Sequence, residues 1–208
     1  MMKKLFSILA VALFLPLQAC AVEQWQEGTH YEVINDQATE EKQVLEFFSF
    51  WCPHCYNFEP LVEQVKSQLG EDVKFNKVHV NFMGFADKET QDAATRAMMV
   101  GRALKKSDKL NKAVFEYIHK QRSPLTSMDD LKNIFAINGV EKAEFDKMVK
   151  SFGVNSLFSK NNKLIAQYRQ HVRSVPTFIV NGKFRPTFTR DMTPDDMIDL
   201  IVWLSQQK

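Results

Sequence analysis

At 208 residues, with 45% hydrophobic and 12% aromatic content, the chain is long enough to bury a full core, as one domain or as one domain carrying a large insertion. Lys and Arg number 27 against 25 Asp and Glu, a formal charge of +2. So even a balance gives no electrostatic case for nucleic acid or an anionic membrane surface as partner.

Residues 1–21 read as an export signal. Lys3 and Lys4 form a positive start, and the apolar run from Leu5 to Leu15 is too short to span a bilayer. Ala19-Cys20-Ala21 then supplies the small-x-small pattern of a cleavage site, with cleavage after Ala21. Leu17-Gln18-Ala19-Cys20 also resembles an imperfect lipobox, whose processing would instead leave Cys20 lipidated. Removing the leader takes away two lysines and no acid, so the mature chain is formally neutral and keeps only Cys52 and Cys55. One closely spaced pair is no disulfide framework for stability; it is a pair placed to react.

The mature part opens with a short edge strand at 31–34 and a buried strand at 43–50. A helix follows over 53–69, with Phe58, Leu61, Val62, Val65 and Leu69 near helical spacing and Gly70 as its stop, and then an alternating strand over 73–80. From about 88 to 158 the pattern is helical throughout, in segments 89–105, 109–121, 127–138 and 142–152, punctuated by Ser123-Pro124, Asn138-Gly139 and Gly153. Ser127 followed by Asp129 and Asp130 reads as an N-cap with first-turn acids. A helix at 156–171 leads to a strand at 177–180, the Asn181-Gly182 hairpin turn, a partner strand at 183–188, and a last amphipathic helix opened by Thr193-Pro194. The order predicts an α/β fold, a central mixed sheet flanked by helices, interrupted by an all-helical insertion. The parts are 22–83 and 161–208 for the sheet domain and 84–160 for the insertion.

Chemistry concentrates in Cys52-Pro53-His54-Cys55, where the buried strand gives way to a helix. With only Pro53 and His54 between them, the two sulfurs close into a disulfide with little backbone movement. Cys52 lies at the helix N-terminus, where unpaired N–H groups and the macrodipole favour a thiolate, so it is the expected exposed nucleophile. Cys55, a turn further in, is the expected buried resolving thiol. His54 is placed to stabilise the Cys52 thiolate and so to make the disulfide more oxidising. No metal site is expected, because structural zinc needs a second ligand pair and no further cysteine survives processing.

Val175-Pro176 precedes a predicted central strand, a place from which Pro is normally excluded. Either an ordinary trans turn or a cis bond fits; a cis Pro176 facing the thiols would leave Val175 backbone groups free to pair with an incoming peptide. Glu46 and Lys77 are charges in apolar strands, a pair that either moves protons during exchange or is purely structural. Glu59, seven residues beyond Cys52, is a weaker candidate for the same role, and His79 reads as a satisfied strand residue.

These segments together resemble the periplasmic DsbA-type thiol–disulfide oxidoreductases of the thioredoxin superfamily, over essentially the whole mature length. The resemblance is carried by 44–50, Cys52-Pro53-His54-Cys55, 77–84, Ser174-Val175-Pro176 and 180–183. It implies a thioredoxin-like fold with an inserted helical domain, and oxidation of newly exported, reduced or unfolded proteins through a mixed disulfide. It further implies a periplasmic monomer with no cofactor beyond the Cys52–Cys55 disulfide, reoxidised by a quinone-linked membrane partner of the DsbB type. A cis bond before Pro176, an exposed Cys52 and a buried Glu46–Lys77 pair belong to the same expectation. Cys20 and Trp51 are departures, the first raising lipidation and the second a shifted redox poise. A disulfide isomerase or reductase, and a copper(I) chaperone using Cys52, Cys55 and His54, are the competing functions. Isomerases of this compartment resemble dimers with an added N-terminal segment, for which 22–29 is too short, and no Met-rich loop adjoins the cysteines.

Overall fold

Phe47 and its neighbours define the centre of the molecule, in a strand buried on both faces. A computed structural model describes residues 24–208; the expected export leader and Cys20 lie outside the described residues. Strands β1 (Tyr31–Val33) and β2 (Gln43–Phe48), helix α1 (Pro53–Gln68) and strand β3 (Lys74–His79) come first. Helices α2 (Lys88–Ala103), α3 (Ser107–His119), α4 (Met128–Ile137), α5 (Lys142–Val149) and α6 (Phe152–Tyr168) follow. Strands β4 (Thr177–Val180) and β5 (Phe184–Pro186) and helix α7 (Pro194–Gln206) complete the described residues.

The sheet runs β1-β5-β4-β2-β3, with β2 and β3 parallel and the other pairs antiparallel. Side chains alternate across β2, so Leu45 and Phe47 face one way and Val44, Glu46 and Phe48 the other. The first face packs under Ile165 and Tyr168 of α6. On the second, Val44 joins Leu61, Val62 and Val65 of α1 and the apolar stripe of α7, while Phe48 reaches the core of the helical insertion. That one strand thus feeds three packed regions, and its C-terminal end leads to the cysteine motif, whose two cysteines lie in the core shared with the helical insertion.

Local chemistry sets most element ends. Ser127 and Thr193 each form a capping box, with Asp130 and Asp196, at the starts of α4 and α7. The Asn181-Gly182 turn needs left-handed backbone at both residues, with φ of 51° and 65°, which these two residue types tolerate. One expected helix start is wrong. The helix predicted over 156–171 begins at Phe152, because Ser151 caps it by accepting the Val154 N–H, and Gly153 lies inside its first turn. A division at 160 also falls within α6: Val154 packs in the insertion's core, and Ile165 and Tyr168 under the sheet. The helix belongs to both parts.

Candidate active site

After Phe48 the chain leaves β2 and turns, with the Cys52 N–H donating to the Ser49 carbonyl at 3.0 Å. Cys52 is then the N-cap of α1 and Pro53 its first residue, a position where a missing N–H is harmless. Serving as N-cap, the Cys52 sulfur accepts the Cys55 N–H at 3.2 Å. This is the donor that an N-cap oxygen normally satisfies, here offered to a sulfur that can hold charge. Both cysteines are free thiols.

The environment drives the two sulfurs apart. Cys52 is pulled from an ordinary thiol value of 9.0 down to about 6, first by a hydrogen bond from the Cys55 thiol, against the opposing effect of burial, and then by the N–H groups of Cys55 and His54. The charge of His54 also favours the thiolate but contributes least. Its side chain is exposed, and the donors belong to the helix start and to Cys55. Cys55 is pushed far above the ordinary range, first by burial and then by its bond to Cys52, with the negative charge of Glu46 adding to the effect.

A correction concerns access. Cys52 was expected to be exposed, yet only 2% of it is accessible. The N-cap position turns its sulfur inward, beneath the Val175 carbonyl at 3.4 Å, and Cys52 belongs to a buried cluster against which Trp51 and Val175 pack. The Val175–Pro176 bond is cis, as the family resemblance implies although the residues alone fitted a trans turn too, and this loop lies against the sulfur. The Val175 carbonyl is not free, however: it accepts the Cys52 thiol.

Beneath the motif, Glu46 and Lys77 are direct register partners across β2 and β3. The Lys77 ammonium donates to Glu46 at 2.7 Å and to Glu59 at 2.6 Å. Glu59 is therefore a full member of the cluster, more than its position seven residues past Cys52 suggested. Two helical turns bring it back to the face above β3. Burial works against the Lys77 charge, but the two carboxylates outweigh it and hold the ammonium above the usual lysine range. Burial pushes the Glu59 carboxyl up, opposed by Lys77. The second oxygen of Glu46, a fully buried residue, has no hydrogen-bond partner. A cleft of about 640 Å³ between α1 and α3, lined in part by Tyr56, Glu59, Lys77 and Phe115, leads from the surface to this cluster.

His79 is only half satisfied. Its Nδ1 meets the Thr95 hydroxyl at 2.8 Å, Nε2 has no partner, and burial depresses its pKa to about 3, so the ring is neutral. Asn161 of α6 clamps its backbone by accepting the His79 N–H and donating to its carbonyl. Among the described residues no group of three or more His, Cys, Asp or Glu side chains is arranged to hold a metal, and His54 is not brought to the sulfurs as a third ligand. Sequence reasoning missed His119 of α3, whose ring nitrogen Nε2 lies 2.8 Å from the Phe50 carbonyl. Nothing local signals it, because the contact spans 69 residues.

Comparison with known proteins places this geometry in context. The DSBA-like thioredoxin domain family matches residues 43–198. The thiol:disulfide interchange protein DsbA of Haemophilus influenzae is 43% identical over 163 residues, which cover 77% of this chain and 76% of the relative. The DsbA of Escherichia coli K12 is 35% identical over the full length of both chains. The crystal structure of the DsbA disulfide interchange protein from Klebsiella pneumoniae is similar at a TM-score of 0.78 and 25% identity, covering 89% of this chain and 100% of that one.

Proposed function

The chain belongs to the DSBA-like thioredoxin domain family and is a protein disulfide oxidoreductase, and from that premise we propose that it donates its Cys52–Cys55 disulfide to newly exported proteins in the periplasm. The observation that carries this reading is the pair of opposed sulfurs, one held as thiolate at the start of α1 and the other held as thiol behind it.

In the proposed cycle a client thiolate attacks the Cys52 sulfur of the disulfide. The S–S bond breaks, Cys55 leaves with the electron pair, and its high proton affinity makes it take up a proton at once. The client's second thiolate then attacks the client sulfur of the mixed disulfide and expels Cys52. A thiol titrating at about 6 is a good leaving group at neutral pH, so this step releases the oxidised client rather than stalling. Two electrons pass to the enzyme, and the client loses two protons. The Glu46–Lys77–Glu59 cluster would deliver the proton that Cys55 takes up, a reading supported by the cleft that joins the cluster to solvent. The loop at Val175 and Pro176 faces Cys52 and would hold the client backbone.

The redox-active disulfide is the only group the cycle requires. A quinone-linked membrane oxidase of the DsbB type would restore it, and residues 1–21 would direct export. The test is direct: Cys52→Ser should abolish oxidation of a reduced substrate protein, and Cys55→Ser should accumulate mixed disulfides on non-reducing gels. Native-rate oxidation by Cys52→Ser would reject the nucleophile assignment. An equilibrium potential near that of thioredoxin, about −270 mV, would move the protein to the reductase class.

A further inference from the structure

The turn that carries Cys52 has one backbone acceptor whose donor comes from outside it. Ser49 is fully engaged: its carbonyl accepts the Cys52 N–H at 3.0 Å, its hydroxyl accepts the Trp51 N–H at 3.3 Å, and its backbone bonds the Cys55 sulfur. The next carbonyl, that of the fully buried Phe50, is met by His119 Nε2 at 2.8 Å from the last turn of α3. Because a carbonyl only accepts, Nε2 carries the hydrogen, and it does so whether the imidazole is neutral or charged.

The same ring reaches the other flank of the motif. It stacks on Tyr56, the residue after Cys55, with centroids 5.1 Å apart and planes 12° from parallel. Phe115 boxes it in, 6.0 Å from the imidazole, 5.8 Å from Tyr56 and 5.1 Å from Phe50. Tyr56 in turn donates its N–H to the Cys52 carbonyl at 3.1 Å. One side chain of the insertion therefore grips the backbone two residues before Cys52 and the ring one residue after Cys55.

We propose that His119 is a positioning residue for the redox motif: its Nε2–H fixes the Phe50 carbonyl, and through it the turn that presents the Cys52 sulfur to its donors. The helical insertion then contributes to the redox poise through a backbone carbonyl of the turn. Lose the donor and the buried carbonyl must turn to find another, taking Trp51 and Cys52 with it. The distance from the Cys52 sulfur to the Cys55 N–H and thiol is what changes.

His119→Phe keeps a ring to stack on Tyr56 and removes the donor; His119→Gln removes the ring and keeps an N–H able to reach the carbonyl. The equilibrium with glutathione should become about threefold to tenfold less oxidising in His119→Phe, roughly 14–30 mV for a two-electron couple, and the Cys52 thiolate titration should move upward. His119→Gln should recover both to within about twofold of the parent. An unchanged potential and titration in His119→Phe would overturn the proposal, and so would a shift in His119→Gln as large as that in His119→Phe. The inference rests on the oxidoreductase reading, but the Cys52 titration needs no client. A parent protein that oxidises no client would sink that reading and leave the His119 comparison readable.

Discussion

Replacing Cys55 by Ala tests where the acidity of Cys52 comes from. The fall from 9.0 to about 6 corresponds to about 4 kcal/mol in favour of the thiolate, at about 1.4 kcal/mol per pH unit. Its largest favourable cause is the hydrogen bond from the Cys55 thiol, which Ala removes; the backbone N–H at position 55, which also donates to Cys52, survives. A hydrogen bond to a charged group contributes about 1.5–3 kcal/mol, so Cys52 in the variant should titrate at about 7–8. His54→Ala removes the smallest cause, a solvent-screened charge on an exposed side chain, and should move Cys52 by less than about one pH unit. Thiolate absorbance against pH, supported by alkylation rates, measures both. A Cys55→Ala protein still titrating near 6, or a His54→Ala protein shifted further than Cys55→Ala, would refute this ranking of donors.

Other consequences follow from the same network. Lys77→Met leaves the buried Glu46 and the half-buried Glu59 without their cation and should cost about 3–5 kcal/mol in denaturant unfolding; a loss below about 1 kcal/mol would mean the carboxylates escape by protonation or solvent. Since the Cys52 pKa is depressed in the folded state, its stabilisation of the reduced protein is complete above pH 9 and is lost as pH falls through about 6. Between pH 7 and pH 5 this amounts to about 1.4 kcal/mol. His79, held neutral down to about 3 against an ordinary 6.5, acts in the same direction, so the thiolate contribution is the difference between the parent and Cys52→Ser, and equal slopes in the two would refute it. Asn161→Ala strips both partners from the buried His79 backbone and should cost at least about 2 kcal/mol, measured by thermal unfolding; no change in midpoint would show that water replaces the amide.

What could be read from the sequence was local. The caps at Ser127 and Thr193, the Asn181-Gly182 turn and the strand-to-helix placement of the cysteine pair depend on neighbours within about four residues, and the structure agrees with each. The misreadings have non-local or competing causes. Cys52 is buried because Val175, 123 residues away, closes over it. Glu59 joins the charged cluster because Lys77, on a strand beyond the end of α1, reaches up to meet it. His119 was silent because an amphipathic helix ending in His carries no sign of which distant carbonyl it meets. At α6 a real signal, Gly153 as a break, lost to a stronger one, the Ser151 cap immediately before it.

The two sulfurs are coupled through one hydrogen bond that enters both titrations with opposite sign. Donated by Cys55, it stabilises charge on Cys52; holding the proton on Cys55 is in turn stabilised by that charge, with Glu46 adding its own. The reduced pair therefore carries one negative charge at neutral pH, and carries it on Cys52. That has a consequence for Val175. Its carbonyl accepts the Cys52 thiol only while the proton is there, and a thiolate 3.4 Å from a carbonyl oxygen has nothing to donate. A disulfide sulfur has no proton either. In the thiolate, and in the disulfide of the proposed cycle, the Val175 carbonyl therefore has no Cys52 proton to accept, which is the condition that the proposed docking of a client N–H beside that sulfur requires.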